Sequence, residues 1–146
     1  MSLEENKQVV RRQFELLSKG DVSGAAGMWA QESFNHGRKV GPADIQKVYE
    51  SLHTLHEQHD LHEVVAEGEW VAARTTCHGR HTAEPPIPVN GGIFVGVAPT
   101  GREYTVQHIH LFRVRDGRLV EHWANRDDLG NAAQIGRKLG LPQGPP

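Results

Sequence analysis

Apolar and polar residues follow a helical period in the first third of the chain and a period of two in the rest. In LEENKQVVRRQFELLSKG, residues 3–20, Val9, Val10, Phe14, Leu16 and Leu17 fall near one stripe, which predicts an amphipathic helix. Ser2 is placed as its N-cap, Glu5 completes a capping-box pattern, and Gly20 stops the helix. Asp21 reads as the cap of a second short helix reaching about Trp29, which close packing must hold because Gly24 and Gly27 weaken it. ESFNHG at 32–37 reads as a short extended piece. Gly41-Pro42 opens a third helix, with proline in the first turn, where its missing N–H costs nothing. Ile45, Val48, Tyr49, Leu52 and Leu55 keep helical spacing, and His53, His56 and His59 step by three as a solvated flank of the same helix.

From His62 to about Thr82 the pattern predicts two strands with a turn near Gly68-Glu69. Val71, Ala73, Thr75, Cys77, Gly79 and His81 share one face of the second strand, a small apolar set that suits a cavity wall and ends in His81. AEPPIPVNGG at 83–92 is too rich in Pro and Gly for a strand interior, so an extended loop is expected, acting as a lid or a subunit contact. Ile93–Val97 reads as a resumed strand. Arg102–Asp128 then forms a long hairpin with Asp116-Gly117 at the bend, a pair that tolerates the positive φ a tight turn demands. On its first strand Val106, His108, His110, Phe112 and Val114 share a face. Two histidines on an otherwise apolar face suggest a pocket. Asp127 or Asp128 caps a last helix, LGNAAQIGRKLG, followed by a Pro-rich coil. Helices segregated from a meandering sheet indicate an α+β domain, and 146 residues suffice for one.

Composition narrows the partners. Sixteen basic against eighteen acidic residues, without a basic block, argue against nucleic acid. No apolar run is long enough for a membrane span, and the N-terminus reads as a polar helix rather than a signal peptide. One cysteine, Cys77, permits no internal disulfide and fits the cytoplasm. Ten histidines place charge changes between about pH 5 and 8. They do not make a metal site by themselves: His53, His56 and His59 are expected on a solvated helix flank, and His78 and His81 point to opposite faces. No metal or organic cofactor is expected.

Several strings together resemble the SnoaL-like polyketide cyclase branch of the nuclear-transport-factor-like superfamily. They are VVRRQFELLSKGD, ESFNHG, CHGRHT, GVAPTGRE, HIHLFRVRDGRLVEHW and DDLGNAAQIGRKLG, in this order over nearly the whole chain. The resemblance implies a cone-shaped, curved antiparallel or mixed sheet, an α+β barrel, with N-terminal helices closing an internal pocket for a hydrophobic aromatic or polyketide-like molecule. It also implies a homodimer or homotetramer joined through the open sheet surface, and cofactor-independent acid/base chemistry through an enolate. Asn35 matches the family asparagine, His110 the family histidine, and His108 a second polar lining position. The family aspartate is replaced by Ala124. The expected catalytic pair is therefore Asp127 and His110, with Asn35, His108, His81, Arg126, Phe112 and Trp123 binding substrate. A non-catalytic binder of the same fold, a related hydrolase, isomerase or dehydratase, and a hydroxylation-accessory protein remain alternatives.

Overall fold

The computed structural model describes residues 1–139. Helix α1 spans Leu3–Ser18, and its capping box is formed: Ser2 Oγ accepts from the Glu5 N–H at 3.1 Å, and the Ser2 N–H donates to Glu5 Oε2 at 2.6 Å. Helix α2 covers only Val22–Gly27, capped by Asp21. The second helix thus ends before Trp29, which begins strand β1, Trp29–Asn35. His36 and Gly37 both have positive φ (50° and 75°) and turn β1 into β2, Arg38–Val40. This hairpin was read as one extended piece because His-Gly is a weaker turn signal than Asn-Gly, although histidine does enter the left-handed region.

Helix α3 is Pro42–His53, with the Gly41 N–H held by Asp44 Oδ2 at 2.9 Å. The helix does not run on through His56 and His59. Thr54 caps it, and His56 at φ 53° reverses the chain into β3, Gln58–Glu67. Strand β4 is Trp70–Arg80, and its alternating burial follows the expected inward set. Residues 93–96 are turns and Val97 is irregular, so no strand resumes here; Ile93 and Phe94 are buried under the loop they end. Strand β5, Glu103–Arg115, and β6, Arg118–Arg126, form the predicted hairpin, with Asp116 at φ 51° and Gly117 at φ 74°. Helix α4, Asp128–Gln134, stops six residues earlier than its pattern suggested, where Gly136 turns to φ 80°. The predicted Pro-rich tail lies outside the described residues.

The strands make one sheet in the order β2-β1-β6-β5-β4-β3, antiparallel except for the parallel β1–β6 pair. Register shifts at Leu61/Val64, Arg113/Val114 and Trp29/Phe34 bend it, as an extra residue on one strand does. The sheet is curved and mixed as expected, but β2 and β3 remain edges, so it is an open cone and not a closed barrel. Along the inner face of β5, Tyr104 and Val106 belong to one apolar cluster with Leu55, Cys77, Phe94 and Ile135. Phe112 and Val114 belong to another with Val10, Phe14, Trp29 and Ile45. His108 and His110 lie in the seam between the two. No described helix is long and apolar enough to cross a membrane.

Candidate active site in the concave face

The concave face, α1, α3 and the 87–92 loop enclose a cavity of about 770 Å³. This is within the usual range for a small-molecule site. The loop earlier read as lid or subunit contact contributes Ile87–Gly92 to the wall. Asn90 Nδ2 ties it to the floor by donating to Glu57 Oε1 at 2.7 Å, and the Tyr104 hydroxyl donates to the same oxygen at 2.8 Å. Burial raises the Glu57 carboxyl above its usual range, opposed by these two hydrogen bonds.

Three side chains form a hydrogen-bonded chain across β1, β6 and β5. Asn35 Oδ1 lies 2.9 Å from His122 Nδ1, and His122 Nε2 lies 2.9 Å from His110 Nδ1. An amide oxygen only accepts, so His122 Nδ1 carries the proton and its Nε2 is a lone pair. That lone pair requires the proton of His110 on Nδ1. His110 Nε2 is then an unprotonated nitrogen, buried and without a partner. Burial, followed by the neighbouring His122, His59, His108 and Arg126, holds His110 well below the usual histidine range. Burial is likewise the leading cause that brings His122 and His108 to about 3 and His59 to about 4. All four rings are neutral at neutral pH.

His108 is buried beside His110, and neither of its ring nitrogens has a partner. Phe112 and Arg126 also line the cavity. Arg126 is oriented by Asp128, with Nε to Oδ1 at 3.1 Å.

Three expected site residues lie elsewhere. Asp127 is exposed and caps α4, its Oδ1 accepting from the Gly130 N–H at 2.9 Å. Its carboxylate serves the first turn of a helix and is not among the cavity groups. His81 is buried past the end of β4, with Nδ1 3.0 Å from Thr100 Oγ1 and its ring against Phe94, away from the cavity. Trp123 is on the outer sheet face, where His36 packs on its ring and its Nε1 donates to Glu121 at 2.9 Å. Strand alternation excludes a shared inward face for Trp123 and Arg126, three residues apart. The inward positions of β6 are His122, Ala124 and Arg126. Sequence reasoning missed His122, which that alternation could have found. It also missed His59 and Glu57, for which only the end of α3 would have been a signal.

The SnoaL-like polyketide cyclase family model matches residues 7–135. The chain is 30% identical over 145 residues to aklanonic acid methyl ester cyclase DnrD of Streptomyces peucetius, covering 93% of this chain and 94% of that one. It is 34% identical over 107 residues to the nogalonic acid methyl ester cyclase of Streptomyces nogalater, covering 71% and 73%. Among solved structures, AclR, a proposed hydroxylase from Streptomyces galilaeus, is 26% identical. It superposes with a TM-score of 0.76 over 92% of this chain and 98% of that one. The matched segment contains every strand that builds the cavity, and the chain belongs to the SnoaL-like polyketide cyclase family.

Proposed function

We propose that this protein closes a ring in a polyketide ester, with His110 as the group that moves the proton. The observation that carries the reading is the Asn35–His122–His110 chain, which leaves Nε2 of His110, a residue lining the cavity, as a buried and unpartnered lone pair. In this scheme Nε2 takes a proton from the carbon between two carbonyls of the bound substrate. The enolate carbon attacks a ketone of the same molecule, a carbon–carbon bond forms, and the resulting alkoxide takes the proton back from the imidazolium. The product is an isomer of the substrate. A desolvated imidazole is a weak base, so the reaction needs the acidic carbon of a 1,3-dicarbonyl. The enolate's charge beside the ring then favours the imidazolium. Arg126, held by Asp128, and His108 face the same space and are assigned to the substrate oxygens, with Phe14 and Phe112 against its apolar rings.

The named relatives suggest the substrate class: polyketide methyl esters such as those of aklanonic and nogalonic acids. Incubation with these two esters should give the cyclised isomer, and His110→Ala should lower kcat by roughly 100-fold or more. Asp127→Asn should leave kcat near that of the wild type. Full turnover by His110→Ala sinks the assignment. Alanine at 124 favours the second reading, a binder that does not turn its ligand over. Tight binding of both esters without cyclisation selects it.

We further propose a cytoplasmic homodimer, joined through the outer sheet face, where Ile109, Leu111 and Trp123 are exposed. Light scattering should give twice the chain mass, and Leu111→Asp should halve it. A monomeric wild type removes this proposal.

A further inference from the structure

His59, from β3, reaches across the concave face to the histidine pair of β5. The three ring centroids are 5.3 Å (His59–His108), 5.7 Å (His59–His110) and 5.4 Å (His108–His110) apart, a nearly equilateral arrangement. One nitrogen from each ring lies within 4.8 Å of the others. The cluster differs from a satisfied set of core histidines in its partners. Both His108 ring nitrogens and His110 Nε2 are buried and unpartnered, with His108 only 3% exposed and His110 9%. Buried polar atoms without partners are rare, because each gives up its hydration and gains no hydrogen bond in return. Each of the three rings offers one nitrogen to a shared space, and a common occupant there would partner nitrogens of His108 and His110 that the protein leaves unpaired.

We propose that His59, His108 and His110 form a binding site for a divalent transition-metal ion of the zinc type. Imidazole nitrogens bind such ions at about 2.0–2.1 Å, so the three rings need to move inward by less than about 1 Å each. A three-histidine set leaves a fourth position, which here opens to the cavity and takes water or a substrate oxygen. The supporting contacts are those that histidine ligands require. His110 Nδ1 is held by His122 and, through it, by Asn35, while His59 Nδ1 is 3.1 Å from Thr75 Oγ1. Phe14 packs against both His59 and His110, with centroids 5.4 and 5.1 Å away, and restrains their rotation. A neighbouring group, Glu57, His59 and Cys77, also has ligand-type atoms within reach, but Glu57 Oε1 is already occupied by Tyr104 and Asn90.

The ion and the proton compete for His110 Nε2. Metal loading therefore silences the cyclisation proposed above, a consequence that rests on that reading, whereas the binding itself does not. Full-length protein treated with chelator and titrated with Zn²⁺ by calorimetry should bind one ion per chain, and Co²⁺ should give the visible bands of low-coordinate nitrogen ligation. His59→Ala and His108→Ala should each weaken Zn²⁺ binding more than 100-fold, and His122→Ala about 10- to 100-fold through lost orientation. His108→Gln, which keeps most of the ring's volume, guards against a merely unfolded variant. Zn²⁺ should raise the Tm of the wild type but not of the His59 and His108 variants.

Wild-type protein that binds no Zn²⁺ at micromolar concentration overturns the site. So does binding that survives both alanine variants but is lost in His62→Ala or His78→Ala on the outside. If Zn²⁺ binds the cluster and cyclisation continues unchanged, the metal site stands and His110 is not the base.

Discussion

Ala124 pairs with His110 in the β5–β6 register, so a small side chain stands directly beside the proposed base. A carboxylate at 124 would favour the imidazolium, raise the pKa of His110, and make the base lose its lone pair at a higher pH. Ala124→Asp should therefore move the acidic limb of the kcat/KM profile upward by about one unit or more. An unmoved limb would separate His110 from the proton transfer. Two adjacent carboxylates look alike in sequence, but one caps the helix through Gly130 and the other turns to Arg126. Only local backbone geometry makes that choice.

The elements show the same division. Strand β5 was legible because strict alternation puts Tyr104, Val106, His108, His110, Phe112 and Val114 inside and their neighbours outside. Its partner β4 accepts the Tyr104 ring only because Gly79, opposite in register, has no side chain. A Cβ there would overlap the ring. Gly79→Ala should cost about 1–3 kcal/mol, seen as a lowered Tm, and loosen the Tyr104–Glu57 contact that ties down the 87–92 loop. Melting unchanged from wild type would mean the ring does not sit there. The α3–β3 junction was misread because a three-residue histidine step fits a helix as well as it fits a helix end, a turn and a strand. The left-handed turn at His56 redirects His59 from a solvated flank into the cavity.

At the scale of the molecule, the cost of the cavity is a set of neutral, buried histidines. Folded values of about 4 for His59 and about 3 for His108 and His122 lie below the roughly 6.5 of an unfolded chain. Below that pH the unfolded chain binds protons that the folded one does not. The stability these rings permit is thus complete above about pH 6.5 and lost as the pH falls toward 4 and then 3. In metal-free protein, denaturant unfolding at pH 7.5 and pH 5 should differ, with a slope of up to about 1.4 kcal/mol per pH unit for each such ring. Equal stability at the two values would mean that the rings are hydrated or paired with acids in solution.

The sequence by itself determined the α+β class, the hairpin with its Asp-Gly turn, the capping box and the inward faces of β4 and β5. Each of these depends on interactions within a few residues or on a strict period. The tertiary structure alone decided which histidines meet. His59, His108, His110 and His122 come from three strands, and their convergence depends on the curvature of the sheet and on where α3 ends. Tautomer, burial and the unpartnered nitrogens follow from that convergence, because they are properties of neighbours that the chain order does not contain.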